Sequence, residues 1–164
     1  MAEATELIEL LTSHDSTKRA EAAEKLSQMG EDARPAAVAL VRAAGDEAEE
    51  VIEWAVSALE EIGPPDPSDL HALANLLANQ NSDVGYWAAT LLGRLETGAA
   101  SAVERLAATL NESKNPAVQE RAAWALGKIG PAAAVANETL TQVAESDDQR
   151  LARQARKAIE AIQG

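Results

Sequence analysis

The sequence predicts an all-α protein, a solenoid of stacked two-helix repeats. Three observations predict it. The apolar residues are mostly the best helix former, with 37 Ala and 18 Leu against 9 Val, 6 Ile, three Trp, one Tyr and no Phe. The segment Val118 to Gly130 recurs along the chain at successive offsets of 33, 33, 34 and 33 residues. Within it the apolar columns step by 4, 4 and 3 residues, which places them on one face of an α-helix.

The columns define the second helix of each unit. Leu126 aligns with Leu26, Leu59, Leu92 and Ile159, and Ile129 with Met29, Ile62, Leu95 and Ile162. Ala122 aligns with Ala22, Ala55, Ala88 and Ala155, and Val118 with Val51, Val84 and Leu151, Lys18 alone breaking that column. One helix pair cannot bury such a stripe, but stacked pairs can. Five units fill the chain as a single domain, with repeats near 1–30, 31–63, 64–96, 97–130 and 131–164.

The first helices are less regular and fall near Thr5–Ser13, Asp32–Ala44, Pro67–Asn79, Ala99–Asn111 and Pro131–Ala144. Their apolar sets are Leu7 with Leu11, Val38 with Val41, Leu70 with Leu73 and Leu77, Val103 with Leu106 and Leu110, and Val135 with Leu140 and Val143. Gly30, Gly63 and Gly130 follow second helices, where a left-handed closing residue fits. Pro67, Pro116 and Pro131 suit first helical turns, with Asp66 and Asn115 as N-caps before two of them. Asp46 with Glu49, and Ser101 with Glu104, have capping-box spacing. Gly85 and Gly93 lie inside a helical pattern, so the second helix of the third unit should be the least regular.

Composition excludes several function classes. Without Cys there is no thiolate metal site, disulfide scaffold or thiol nucleophile. A net charge of -13 argues against nucleic acid and anionic membrane as partners. The longest apolar run, Ala36 to Val41, is too short to span a bilayer, and the acidic start has no secretory pattern. A cytoplasmic protein is expected, with a monomer the expected state. His14 and His71 have no His partner at ligand spacing, and no nucleophile elbow or phosphate loop occurs, so no metal, cofactor or enzymatic chemistry is expected.

The segment from Asn115 to Gly130, Asn-Pro-Ala-Val-Gln-Glu-Arg-Ala-Ala-Trp-Ala-Leu-Gly-Lys-Ile-Gly, resembles a short HEAT repeat of the type found in bilin lyases. Asn81 to Leu95 is a weaker copy. The resemblance implies a right-handed α-solenoid of five stacked two-helix HEAT-like repeats, related to armadillo arrays. It implies that the second helices line the concave inner surface and bind another protein. The family's Arg directly after the Val position occurs only at Arg19, with Ile52, Gly85, Gln119 and Ala152 elsewhere, so a ladder of Arg–Asp pairs through the repeats is not expected.

Counting from the Val column as zero, positions 2, 6, 9 and 10 point away from the core and position 3 lies on its boundary. All four aromatics fall there: Tyr86 at 2, Trp54 and Trp87 at 3, and Trp124 at 6. Arg94 and Lys128 are at position 10 and Arg121 at 3. One reading makes these seven residues a partner-binding stripe, since Trp, Tyr and Arg carry most binding energy at interfaces. The other has the tryptophans fill grooves between neighbouring second helices. Charge is uneven as well: residues 1–67 carry 16 acidic and 5 basic side chains, residues 68–164 carry 11 and 9. The functional expectation is a non-enzymatic scaffold holding a protein or peptide. A bilin lyase-like subunit holding a linear tetrapyrrole is the alternative. A HEAT-like DNA-repair enzyme would need a basic groove, and a pure spacer segment would need no site at all.

Overall fold

A computed structural model describes residues 2–164. The described residues contain α-helices, 3-10 segments and turns, and no strand. They form two compact units, the first running through Asp69 and the second spanning Leu70–Gly164.

The first unit contains α1 (Ala2–Leu10), α2 (Ser16–Gln28), a 3-10 segment (Gly30–Ala36), α3 (Ala37–Ala43), α4 (Glu49–Glu61) and a 3-10 turn (Pro67–Asp69). Here α2 packs on α4, with α1 against α2 and α3 against α4. The second unit contains α5 (Leu70–Leu76), α6 (Ser82–Arg94), a 3-10 segment (Glu96–Ala102), α7 (Val103–Glu112), α8 (Pro116–Ile129), a 3-10 segment (Gly130–Ala136), α9 (Asn137–Val143) and α10 (Gln149–Gln163). Its second helices pack in sequence, α6 on α8 and α8 on α10, with α7 against α8 and α9 against α10.

The repeat columns form the cores. Every residue of the Ala122 column is buried, as are Leu26, Leu59, Leu92 and Leu126, and Val51, Val84, Val118 and Leu151. Met29, Leu95 and Ile159 are only half-buried. The alanines leave room for the leucines, so helices lie close without any Phe.

The first helices differ from the expected placement. Where continuous helices were expected at Asp32–Ala44, Ala99–Asn111 and Pro131–Ala144, each begins as a seven-residue 3-10 segment before a short α-helix. Pro35 cannot donate an amide hydrogen bond, and Ala99 has non-helical angles. The tighter turn changes which residues face inward. Ala133 and Ala136, three apart, are fully buried, while Val135, expected to pack with Leu140 and Val143, is 70% exposed.

Second helices end at one left-handed residue. Gly30, Gly63 and Gly130 have φ of 55°, 69° and 76°. The equivalent position after α6 holds Glu96, which is forced to φ 50° without glycine's freedom.

Their beginnings repeat too. Asp15, Asn81, Asn115 and Asp148 cap α2, α6, α8 and α10 by accepting backbone N–H bonds. Two residues earlier, Ser13, Asn79, Ser113 and Ser146 each accept the cap's own N–H. Asp46 stands in that second column and accepts from Ala48 at 2.9 Å. The expected capping box at Asp46 and Glu49 is therefore absent: the cap of α4 is Ala48, which has no side-chain acceptor. The box at Ser101 and Glu104 is also absent, because α7 is capped by Ala102 as a continuation of the 3-10 segment. Asp66 accepts from Ser68, closing the 3-10 turn there.

Asp46 is free for a different task. Arg19 grips it with two bonds, Nε to Oδ2 at 2.8 Å and Nη2 to Oδ1 at 2.9 Å, while Nη1 donates to the Ser13 carbonyl at 2.9 Å. One rung of the Arg–Asp pairing thus exists, at the one position where the sequence supplies the Arg. Burial pushes the Asp46 carboxyl up, but the Arg19 hydrogen bond, the Ala48 amide and the Arg19 charge outweigh it and hold it below the usual carboxylate range. Elsewhere other side chains satisfy the carbonyls at first-helix ends: Gln119 donates to Leu110 and Arg156 to Ala144.

Candidate interaction surface

The second unit brings together five of the seven expected site residues on α6 and α8. The Arg121 guanidinium lies over the Tyr86 ring at 4.7 Å and the Trp124 ring at 4.9 Å from the centroids. It also donates through Nη2 to the Tyr86 hydroxyl. Tyr86 meets Trp87 edge to face, with centroids 5.6 Å apart and planes at 85°. Arg94 lies over Trp87 at 5.9 Å. Such contacts fix long side chains in place and keep the Arg charge near the surface.

The members are not equally accessible. Tyr86, Arg121, Trp124 and Arg94 are half-buried, but Trp87 is only 8% exposed. Trp87 is therefore mainly a support beneath Tyr86 and Arg94. Lys128 is exposed and pairs with Glu96 at 3.8 Å. Trp54 lies on α4 in the first unit and is half-buried.

Trp124 owes its position to a glycine. A Cβ built on Gly93 would collide with Trp124 Cζ3 and stand 2.9 Å from Cε3 and 3.1 Å from the Ala125 Cα. The indole fills the space that Gly93 leaves. In the next repeat the aligned Gly127 does the same for α10, where a Cβ would meet the Ala158 Cα at 3.1 Å. Position 9 was expected to point away from the core; it instead meets a flanking second helix, because a second helix has such neighbours as well as its own first helix. The expected irregularity of α6 is likewise absent: it runs unbroken from Ser82 to Arg94. Its glycines stay helical because packing fills the space beside them, Val118 lying 3.4 Å from a Cβ on Gly85.

A concavity of about 950 Å³ in the second unit lies elsewhere. It is lined by Leu77, Asn79, Arg105, Glu112, Lys114 and Asn115, opens widely to solvent and mixes both charges. The aromatic cluster is the better candidate because its groups converge and are ordered by one another. Among the described residues, no group of three or more His, Asp or Glu is placed to hold a metal ion. No helix among them is long and apolar enough to cross a membrane.

Stacked helix pairs with left-handed glycines and Asx-type caps at fixed spacing define the class: an α-helical repeat protein with its conspicuous side chains on the second helices. The chain belongs to the HEAT-repeat family, whose model for HEAT repeats matches residues 4–85 and 70–160. Its fold is the all-α solenoid of HEAT-like repeats. Comparison with curated protein sequences finds no match. Among solved structures, the chain is similar to an engineered protein at 26% identity and a TM-score of 0.63, covering 99% of this chain and 80% of the other. It is similar in fold to a designed armadillo repeat protein in complex with the peptide (KR)4, at 19% identity, a TM-score of 0.66 and 95% and 80% coverage. It is similar to the complex of CpcE and CpcF of phycocyanin lyase from Nostoc sp. PCC7120, at 25% identity and a TM-score of 0.63. That match covers 97% of this chain and 64% of the other, so this chain spans less than two thirds of the lyase chain.

Proposed function

We propose that this protein is a non-catalytic binding module that holds a protein or peptide on its second-helix face. In the second unit the contact surface is Tyr86, Arg121 and Trp124, flanked by Arg94 and Lys128 and supported by Trp87. Trp54 offers an aromatic contact on the first unit. The observation that carries this reading is the Arg121 guanidinium held against two half-buried rings. Aromatic and Arg anchors ordered before binding lose little further freedom on association. The designed armadillo neighbour, solved in complex with the peptide (KR)4, is in keeping with a peptide ligand for such a fold.

The test is selection of a displayed random peptide library on the immobilised protein. Each selected peptide is then measured on the Arg121→Ala and Trp124→Ala variants, with circular dichroism confirming their fold. Selected peptides should lose roughly tenfold or more in affinity on at least one variant, a hot-spot loss. Peptides that bind both folded variants unchanged refute the site.

A second reading has one observation in its favour, the likeness to the phycocyanin lyase complex. A linear tetrapyrrole would stack on Trp124 and pair its carboxylates with Arg94 or Arg121. Added biliverdin should then change its absorbance on mixing, and the change should vanish in Arg121→Ala. An unchanged spectrum removes this reading.

A further inference from the structure

The charges on the second helices reverse sign between the two units. Four positions on each helix turn to the same side as Arg121 and Trp124: the residue before the Val column and positions 3, 6 and 10. In the first unit these are Thr17, Glu21, Glu24 and Gln28 on α2, and Glu50, Trp54, Ser57 and Glu61 on α4. Four are acidic and none is basic. In the second unit they are Asp83, Trp87, Thr90 and Arg94 on α6, Ala117, Arg121, Trp124 and Lys128 on α8, and Arg150, Gln154, Lys157 and Ala161 on α10. Five are basic and one is acidic, in a chain of net charge -13.

We infer that this stripe on α6, α8 and α10 is a docking surface for an acidic linear peptide, its carboxylates meeting Arg94, Arg121, Lys128, Arg150 and Lys157 beside the Tyr86 and Trp124 rings. The inference rests on the binding reading above and names the chemistry of its partner. Three observations support it. Solvation alone would not place five of the unit's nine cations on one set of columns that holds a single acid, while the 3-10 segments, α7, α9 and their turns carry most of the unit's acids, among them Glu96, Glu104, Glu112, Glu138, Glu145 and Asp147. Lys128 meets Glu96 at 3.8 Å and Arg150 meets Glu120 at 3.6 Å; both contacts are long and both cations stay substantially exposed, so a ligand carboxylate can displace them. Arg121 has one N–H committed to Tyr86, which leaves further donors at its edge for a planar carboxylate. A second copy of the chain also carries acidic columns, but two chains of this net charge repel each other, whereas a short peptide feels chiefly the field within a Debye length.

The experiment uses three fluorescein-labelled peptides with Glu, Gln or Lys at alternate positions of one sequence, titrated with the intact protein and read by anisotropy. The Glu peptide should bind tightest and weaken as salt rises. Reversing two exposed cations, Lys128→Glu with Lys157→Glu, should weaken it roughly tenfold or more, and the corresponding Gln pair should weaken it less. Equal binding of the Gln or Lys peptide, or indifference to the reversal in a folded protein, overturns the inference. Sedimentation of the protein alone that shows self-association abolished by the reversal also overturns it, assigning the stripe to a second copy. Library peptides that need Arg121 and Trp124 but carry no acids and ignore the reversal would leave the binding reading standing and remove this one. A surface that selects no peptide of any charge removes both.

Discussion

Gly93→Ala should destabilise the protein, against the usual preference of a helix for alanine. In an exposed helix interior the change would gain about 1 kcal/mol. At this position the new Cβ would overlap the Trp124 ring and stand 3.1 Å from the Ala125 Cα. The ring could swing away, but the backbone of α8 could not, so relief requires the helices to separate. Overpacking of this kind costs about 1–3 kcal/mol. Displacing the indole from beneath Arg121 forfeits about 0.5–1 kcal/mol more. Set against the propensity gain, the net loss is about 0.5–3 kcal/mol, or roughly 1–12 °C in melting temperature for a chain of this size. Thermal and urea denaturation followed by circular dichroism would measure it. Gly98→Ala is the control, since the nearest atom to its Cβ is Leu95 Cβ at an ordinary 3.7 Å. Combining Gly93→Ala with Trp124→Ala should recover part of the loss, with a coupling of about 1 kcal/mol or more. If Gly93→Ala raises stability by the full propensity gain, or the two changes simply add, the argument from close approach is wrong.

Three other outcomes follow from local geometry. Glu96→Gly should raise stability by about 0.5–1 kcal/mol, because glycine relieves the left-handed φ of 50° at the cost of one exposed ion pair; urea denaturation would show it. Ala48→Asn should add about 1 kcal/mol by giving α4 the side-chain cap that the other second helices have, visible as a higher melting temperature. Asp46→Asn should lower the melting temperature at neutral pH and flatten its dependence on acid. The Asp46 carboxyl is held below its unfolded value, so its contribution is present above the ordinary carboxylate pKa and is lost as pH falls through the folded one. Wild type and variant should therefore converge on acidification.

The repeat was legible because its columns are side chains with one periodic job. Leu26, Leu59, Leu92 and Leu126 fill equivalent sites, and their spacing alone locates the second helices. The first helices were less legible, since a 3-10 segment and an α-helix can share the same residues and differ only in pitch; Val135 is exposed for that reason. The Asp46 and Glu49 spacing looked like a cap because sequence shows the acceptor but not which N–H it reaches. Among the site residues, the helical wheel correctly set Arg121 beside Trp124 but could not show that Trp87 would be largely covered. Gly93 carried a signal that was readable: it aligns with Gly127, and a glycine repeated at one column marks close approach more often than weakness.

The placement of the indoles has an optical consequence. Trp54 belongs to the first unit, whereas Trp87 and Trp124 belong to the second. The chain therefore carries a built-in fluorophore in each half. Replacing Trp87 and Trp124 by Phe leaves emission that reports only the first unit, and replacing Trp54 leaves a signal dominated by the α6–α8 seam. Both indoles lie against a guanidinium, Trp124 under Arg121 and Trp87 under Arg94, so their emission should respond when that seam opens.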